Sequence, residues 1–215
     1  FEGWYTKADR VTRITVSTVF DSNTTVYAHW SDGDTYRDSG SLSKLSEKEI
    51  TTLLANAPLT MPETVFSQEP SVSAPYAAGK VTAEALNAAL ARLNAMRRIA
   101  GLPNVKLDSA LNESAQYGAV LLAASEFSHT PARPDDMDNS FYQKAYSATG
   151  SSNIHYGSGG IYGNLIYSVD SFMDDSDSSN VSRLGHRRWQ LNPRMGKVGF
   201  GYAKEGSAGY ICEKV

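Results

Sequence analysis

The sequence predicts an α+β fold in which amphipathic helices pack on a small β-sheet. From Thr82 onward, apolar residues recur three and four positions apart, the spacing of one helix face. The last part of the chain has two strand-like runs on either side of a turn signal at 204–207. Apolar helix stripes and an apolar sheet face must be buried, so helices layered on one or both faces of the sheet are expected.

The composition excludes several classes of partner. The chain has 215 residues, enough for one full domain with additional segments. It contains 20 Lys and Arg against 23 Asp and Glu, with no polybasic run, so neither a nucleic acid nor an anionic membrane is an expected partner. Cys212 is the only cysteine, which favours a cytosolic protein or a secreted protein of a Gram-positive bacterium. No apolar run is long enough for a transmembrane segment.

Residues 1–30 have the composition of strands. Thr, Val, Ile and Tyr recur, and residues 21–23 form a turn signal. So short a segment cannot bury much of a core, so we expect it to be the end of a longer unit. The segments FEGWYT and TTVYAHW resemble the closing half of the Listeria–Bacteroides (internalin-B-type) repeat, a β-rich module of bacterial surface proteins. That resemblance implies a location outside the cell.

The next segment is predicted to lead into the main domain. Residues 31–45 are polar and rich in Ser, Asp and Gly, as in a linker. Ser46 and Glu49 have the spacing of a capping box, which predicts a short helix over 47–56. Prolines are concentrated at 58–75, which predicts an extended stretch.

Three longer helices are predicted in the main domain. The first begins after the N-cap residue Thr82 and ends at the stop signal Gly101. Asp108 has the position of an N-cap for the second helix. A third apolar stripe runs over 165–173. We assign all of these stripes to the core.

The predicted organisation has three parts. A β-rich repeat end at 1–30 is followed by a linker, helix and Pro-rich lead-in at 31–79 and by the main domain at 80–215. The main domain closes with strands at 197–202 and 210–215, joined as a hairpin. Because the chain stops within the second of these strands, we expect the domain to continue beyond it.

The sequence lacks the strongest catalytic motifs: it has no HExxH, GxSxG, Walker or CxxC segment. The glycine-rich segment 157–163 lacks the dinucleotide-binding spacing and is predicted to be a flexible loop. His29 lies in the predicted repeat, whereas His129, His155 and His186 lie in polar, turn-rich surroundings. Taken singly, each is expected to be a surface or hydrogen-bonded side chain.

Several separated segments change that interpretation. They are, in order, LNAMRRIAGLPNVKLDSALNESAQYGAVLLAASEFSHT, SSNI, SFMDDS and GHRRWQLNPRMGKVGFGY. Their sequence and order resemble the CAP superfamily of cysteine-rich secretory, antigen 5 and pathogenesis-related proteins, in its cysteine-poor bacterial branch. The resemblance covers roughly residues 80–215 and implies an α–β–α sandwich with a central cleft.

The resemblance also implies a set of cleft residues. The family cleft carries two histidines and two acidic residues, and in some members it holds a divalent metal such as zinc. His129 and His186 match the two histidines. The position of the first acid is occupied by Ser152, and Asp175 matches the second acid with Asp174 as its neighbour.

The presence of Ser152 in place of the first family acid affects the chemistry of the cleft. Two neutral imidazoles, one carboxylate and a water could still hold zinc or another divalent ion at His129 and His186. The lost carboxylate removes negative charge and a candidate general base, so weaker metal binding is expected. Asn153 and His155, which follow Ser152 in the chain, are also expected to line the cleft.

A basic and aromatic segment follows the second histidine. Arg187, Arg188 and Trp189 could contact a ligand, but a structural role is the simpler expectation. In that interpretation Trp189 packs in the core, and the arginines pair with carboxylates such as Asp174 or Asp177.

Three functions compete on this basis. The favoured one is a non-catalytic module, secreted or on the cell surface, whose cleft binds a metal or a cell-wall, lipid or host component. The second is a metal-dependent, peptidase-like hydrolase in which His129 and His186 position a water and Asp175 orients them. The third is a purely structural polar network. The missing acid and the absent nucleophile motif favour binding over catalysis, although a shared fold does not decide the activity.

Overall fold

The structure, a computed structural model, describes residues 3–7, 13–15, 18–20, 22–29 and 45–215. Its contacts divide the chain into two compact units, Phe1–Ser41 and Leu42–Val215, which are described separately below. The predicted boundaries after residues 30 and 79 stay predictions.

The smaller unit has β structure, as the sequence predicts. Strand β1 (Gly3–Tyr5) pairs antiparallel with β2 (Tyr27–His29), and an isolated bridge joins Tyr5 to Arg13. His29 is therefore a strand residue, as expected. The predicted linker lies, apart from Leu45, outside the described residues.

The larger unit alternates helices with short strands. Its described helices are α1 (Glu47–Ala55), α2 (Ala83–Ile99), α3 (Ser109–Ala124), α4 (Asn139–Thr149), α5 (Leu165–Asp174) and α6 (Arg187–Gln190). Its described strands are β3 (Phe66–Gln68), β4 (Lys80–Val81), β5 (Lys106–Leu107), β6 (Asn153–Ser158), β7 (Lys197–Glu205) and β8 (Ala208–Lys214).

The main sheet has the strand order β5-β7-β8-β6. Strand β5 is parallel to β7, whereas β8 is antiparallel to both β7 and β6. Strands β3 and β4 pair separately, in the lead-in to α2. The closing hairpin is confirmed, and its strands extend further toward the turn than the sequence predicted.

Helices begin where the sequence predicts them. Ser46 and Glu49 form the reciprocal capping box of α1, and the Thr82 hydroxyl accepts from the backbone N–H of Ala85 at the start of α2. The Asp108 carboxylate accepts from two backbone N–H groups of α3. Each side chain satisfies a donor that a helix start would otherwise leave unpaired, which explains why these caps locate the helices.

The sheet lies between two helical layers, as expected for an α–β–α sandwich. Val198, Phe200 and Ile211 point from one face into a core cluster shared with α2 and α5. On the opposite face, a Cβ added to Gly201 would lie 2.1 Å from the carbonyl carbon of Ala115 in α3. The backbones of β7 and α3 therefore touch, and the absence of a side chain permits this contact.

A partly buried ion pair joins α2 and α5, the helices that pack on the first of these faces. The Arg92 guanidinium of α2 contacts both carboxylate oxygens of Asp170 in α5, at 2.6 Å each. The same guanidinium donates to the carbonyl of Ala57, just after α1, at 3.0 Å. This bidentate contact fixes α5, and hence the segment that carries Asp175, relative to the core.

The sequence interpretation missed several elements, of which helix α4 and strand β6 bear on the site. It predicted no helix over Asn139–Thr149, where α4 covers α3, and it placed His155 in a turn-rich segment although His155 lies in β6. In the described part of the chain, no helix combines the length and the apolar character needed to cross a membrane.

Candidate functional site

Two adjoining cavities meet at one end of the sandwich. The serine-side cavity, of about 550 Å³, is lined by Ser151, Ser152, Asn153, Arg188 and Trp189 among others. The aromatic-side cavity, of about 560 Å³, is lined by Phe127, His155, Tyr156, Phe172 and Asp177 among others. Four residues line both: His129, Asn180, Arg183 and His186. The two predicted histidines thus lie in a wall common to both cavities.

Asp175 fixes the ring of His186. Its Oδ1 lies 2.7 Å from His186 Nδ1, and its Oδ2 accepts from the backbone N–H groups of His186 and Arg187 at 2.9 and 3.0 Å. Asp175 is buried and caps the end of α5 in a left-handed conformation, with φ of 49°. Because a carboxylate only accepts, Nδ1 of His186 carries a proton and Nε2 is left without a described partner.

His129 is fixed in the same way by the backbone. It lies in the loop after α3, and its Nδ1 is 2.8 Å from the carbonyl oxygen of Thr149 at the end of α4. The Thr149 hydroxyl in turn donates to the His129 carbonyl at 3.2 Å. His129 is exposed, and its Nε2 has no partner among the described residues. Helix α4, which the sequence interpretation missed, therefore orients one of the two cleft histidines.

Ser152 and Asn153 lie side by side and differ in their bonding. Ser152 is 8% exposed, and its hydroxyl oxygen is buried without a hydrogen-bond partner. The Asn153 amide is within 3.4 Å of the His186 carbonyl and 3.5 Å of Glu213 Oε2. Asn153 therefore supports the backbone at His186, while Ser152 leaves a neutral wall where the family resemblance implies an acid.

Glu213 is a buried carboxyl that the sequence interpretation missed. It lies on β8 opposite Asn153 and accepts from Gln190 Nε2 at 2.9 Å. Burial raises the pKa of Glu213 to about 7, against smaller opposing effects of its hydrogen bonds and of Arg97. A charged residue within a largely apolar strand could have indicated Glu213. Its partners, however, come from distant segments, which the local sequence does not reveal.

His155 lines only the aromatic-side cavity. Its Nε2 lies 2.9 Å from the carbonyl oxygen of Tyr162, and its ring meets Phe172 edge-on at 6.0 Å. Burial lowers the pKa of His155, so the neutral imidazole is favoured. Phe172 also packs against His186, with centroids 5.1 Å apart. The structure does not bring His155 to the wall at Ser152.

Asp174 lines neither cavity. It is exposed, its carboxylate accepts from the Ser176 hydroxyl, and its backbone carbonyl accepts from Arg187 Nη2 at 2.6 Å. Of the two adjacent carboxylates, the one that contacts the cleft histidine is therefore Asp175.

The described residues do not assemble a zinc site with three protein ligands around His129 and His186. Among them, the one group of three with ligand atoms within 4.8 Å is Asp175, Asp177 and His186. Both oxygens of Asp175 already accept hydrogen bonds, and Asp177 caps the turn at Ser179 and Asn180. A catalytic zinc needs three protein ligands and an open position, so these donors do not fit such a centre.

The segment after His186 differs from the predicted arrangement of its arginines and Trp189. Trp189 is 52% exposed in the wall of the serine-side cavity, so the prediction that it packs in the core is wrong. Arg187 donates to the backbone carbonyls of Met173 and Asp174 instead of pairing with a carboxylate. Arg188 lines the same cavity as Trp189, with no described hydrogen-bond partner for its guanidinium.

One comparison with known proteins identifies a family. The model of the family described as "CAP: Cysteine-rich secretory protein family" matches residues 90–213, a span that runs from α2 to β8 and contains His129, Asp175 and His186. No curated protein and no solved structure shows a match to the chain.

Proposed function

Because the chain belongs to the cysteine-rich secretory protein (CAP) family, we propose that its two-histidine cleft is the binding site of a non-catalytic extracellular module. One observation carries the proposal. His129 and His186 each have Nδ1 held by an acceptor, and each leaves Nε2 without a described partner in the wall between two cavities. Two fixed, unsatisfied ring nitrogens cost little ordering entropy when a ligand binds.

The bonding of the other cleft groups disfavours catalysis. The Ser152 hydroxyl oxygen is buried from solvent, so it is not placed to attack a substrate. Both oxygens of Asp175 and the carboxylate of Asp177 are occupied by hydrogen bonds, so neither is a free general base.

A hydrolase that uses the same cleft is the second candidate. The His186–Asp175 pair favours it, since a carboxylate on Nδ1 orients an imidazole to take a proton through Nε2. The metal-dependent form would require a third ligand beside His129 and His186, which the described residues do not supply.

An extracellular, bacterial location is part of the proposal. It is supported by the resemblance of residues 1–30 to a surface repeat and by the single, buried Cys212, which rules out the internal disulfides of many secreted eukaryotic domains. A wall polymer is then the first ligand class to test.

The test is co-sedimentation with purified Gram-positive cell walls. Native protein should pellet with the walls, and the His129→Gln/His186→Gln double variant should remain in the supernatant. No soluble wall fragments should appear with either protein. Release of fragments by the native protein alone would replace binding with hydrolysis, and failure of the native protein to pellet would contradict a wall ligand.

Zinc supplies the second arm of the test. Calorimetry at neutral pH compares native protein with His129→Ala and His186→Ala. Little or no zinc binding is expected because two imidazoles alone are a weak ligand set. Tight binding that disappears in both variants would instead establish a metal centre and favour the hydrolase.

A further inference from the structure

We infer that the serine-side cavity binds a phosphate group, carried on a small ring-containing molecule such as a phosphorylated sugar. This inference rests on the proposed binding function and names the chemistry that the cleft would recognise.

Two arginines line the cavity, and no described acidic side chain does. Arg183 and Arg188 lie in its wall together with His129 and His186, and none of the described Asp or Glu side chains lines it. The Lys214 ammonium adds a further positive charge behind the wall, where it donates to the Ser151 hydroxyl. Guanidinium groups match the oxygens of a phosphate in pairs, which makes this arrangement suited to an anion.

The two arginines are available to a ligand. In the part of the chain that the structure describes, neither guanidinium has a carboxylate within ion-pair distance. Arg183 is nevertheless held in place. Its Nε donates to Asn180 Oδ1 at 3.2 Å, and the amide of Asn180 donates to Asp177 at 3.1 Å. Asn180 is only 7% exposed, so the chain from Asp177 to Arg183 is a built support.

Nearby carboxyl groups are directed elsewhere. Asp175 is buried behind His186 and accepts three hydrogen bonds, and Asp177 contacts the aromatic-side cavity while it caps the turn at Asn180. Glu213 is fully buried behind Asn153 and Gln190. The two guanidinium-bearing residues thus line the serine-side cavity, and none of these three carboxylates does.

Ser152 makes the cavity favour an anion over a cation. A carboxylate at this position would favour a cation, whereas the hydroxyl leaves the wall neutral and the arginines uncompensated. The buried Ser152 oxygen has no hydrogen-bond partner among the described residues.

Trp189 indicates what carries the phosphate. Trp189 is 52% exposed in the same wall, so part of its indole is accessible to a ligand. A sugar ring can lie against an indole face while its phosphate reaches Arg188, the preceding residue.

The experiment is calorimetric titration of the full chain at pH 7 and low salt with three probes: inorganic phosphate, glucose 6-phosphate and glucose. Both phosphates should bind, glucose 6-phosphate more tightly, and glucose should not bind detectably. Arg183→Met and Arg188→Met should each weaken binding about tenfold, the loss expected for one charged hydrogen bond. Arg194→Met, an exposed arginine outside both cavities, is the matched control and should leave affinity unchanged.

The Ser152 position gives an independent test. Ser152→Glu should abolish phosphate binding, whereas Ser152→Gln, of equal size but neutral, should retain most of it. Equal losses in the two variants, or an equal loss in Arg194→Met, would overturn the inference. If inorganic phosphate binds as tightly as glucose 6-phosphate, the part of the inference that concerns the sugar is overturned. If neither phosphate binds while the protein still pellets with cell walls, the anion inference fails and the binding function stands.

Discussion

Nδ1 of His186 lies 2.7 Å from Oδ1 of Asp175, and the same carboxylate accepts from the backbone N–H of His186. One buried side chain thus closes the loop between α5 and α6 and sets the direction of a cleft imidazole. The left-handed φ of 49° at Asp175 places the carboxylate toward the returning chain. The support of the site and the end of helix α5 are therefore the same residue.

Asp175→Asn should destabilise the protein by about 2–4 kcal/mol. The Asp175 carboxylate accepts from three donors, and in the variant an amide NH2 group would have to face at least one of them. Urea denaturation measures the change in the free energy of unfolding. Asp174→Asn is the control, and since Asp174 is exposed its effect should stay within about 0.5 kcal/mol. Equal effects of the two substitutions would contradict the role given to Asp175.

Gly201→Ala should cost more than about 3 kcal/mol or prevent folding, because the new methyl group would overlap the backbone of Ala115 in α3 at 2.1 Å. Thermal and urea unfolding of the purified variant give the measurement. Gly196→Ala is the matched control, since an added Cβ there has nothing within 4 Å. A Gly201→Ala protein as stable as the control would show that α3 and β7 can separate without loss.

The sequence predicted the elements whose signals are local. Thr82 and Asp108 cap their helices through bonds to residues two or three positions away, so their spacing identifies the helix starts. Helix α4 was missed although Asp138 caps it in the same way, because its buried residues are small (Ala145, Ala148 and Thr149) and form no strong apolar stripe. Strand β6, which contains His155, was missed because its pairing with β8 defines it more than its own residue pattern does.

The cleft could be predicted in part. His129, His186 and Asp175 were identified through family resemblance, and the structure places them together or in contact. Glu213, Arg183 and the exposure of Trp189 depend on which distant segments meet, so no local pattern revealed them. Of these residues, Arg183 adds charge to the wall that the two cavities share.

Cys212 should be unreactive toward thiol reagents in the native protein. It lies on β8, fully buried against α3, and burial raises the pKa of its thiol, so both access and the reactive thiolate are lacking. Reaction with a chromogenic disulfide reagent at pH 8 should be at least about a hundredfold slower in buffer than in urea. Rapid modification of folded protein would show that the contact between Gly118 and Cys212 opens readily.

Glu213 should make the protein less stable as pH rises. Burial raises its pKa from 4.5 to about 7 in the folded state, so folding favours the protonated carboxyl. The full contribution is present below pH 4.5, declines as pH rises between 4.5 and 7, and is lost above 7. Over that window the free energy of unfolding should fall by on the order of 3 kcal/mol from this group.

Glu213→Gln isolates this effect because the amide cannot ionise. Glu213 Oε1 and Gln190 Oε1 are both buried acceptors without a described partner, so the amide nitrogen of the variant adds a donor where donors are lacking. The variant should match the native protein near pH 4.5 and exceed it in stability at pH 8.5, with urea denaturation at both pH values as the measurement. Glu126→Gln, an exposed carboxyl, should shift stability little at either pH. If the difference in unfolding free energy between the variant and the native protein does not grow with pH, Glu213 ionises as readily in the folded protein as in the unfolded chain.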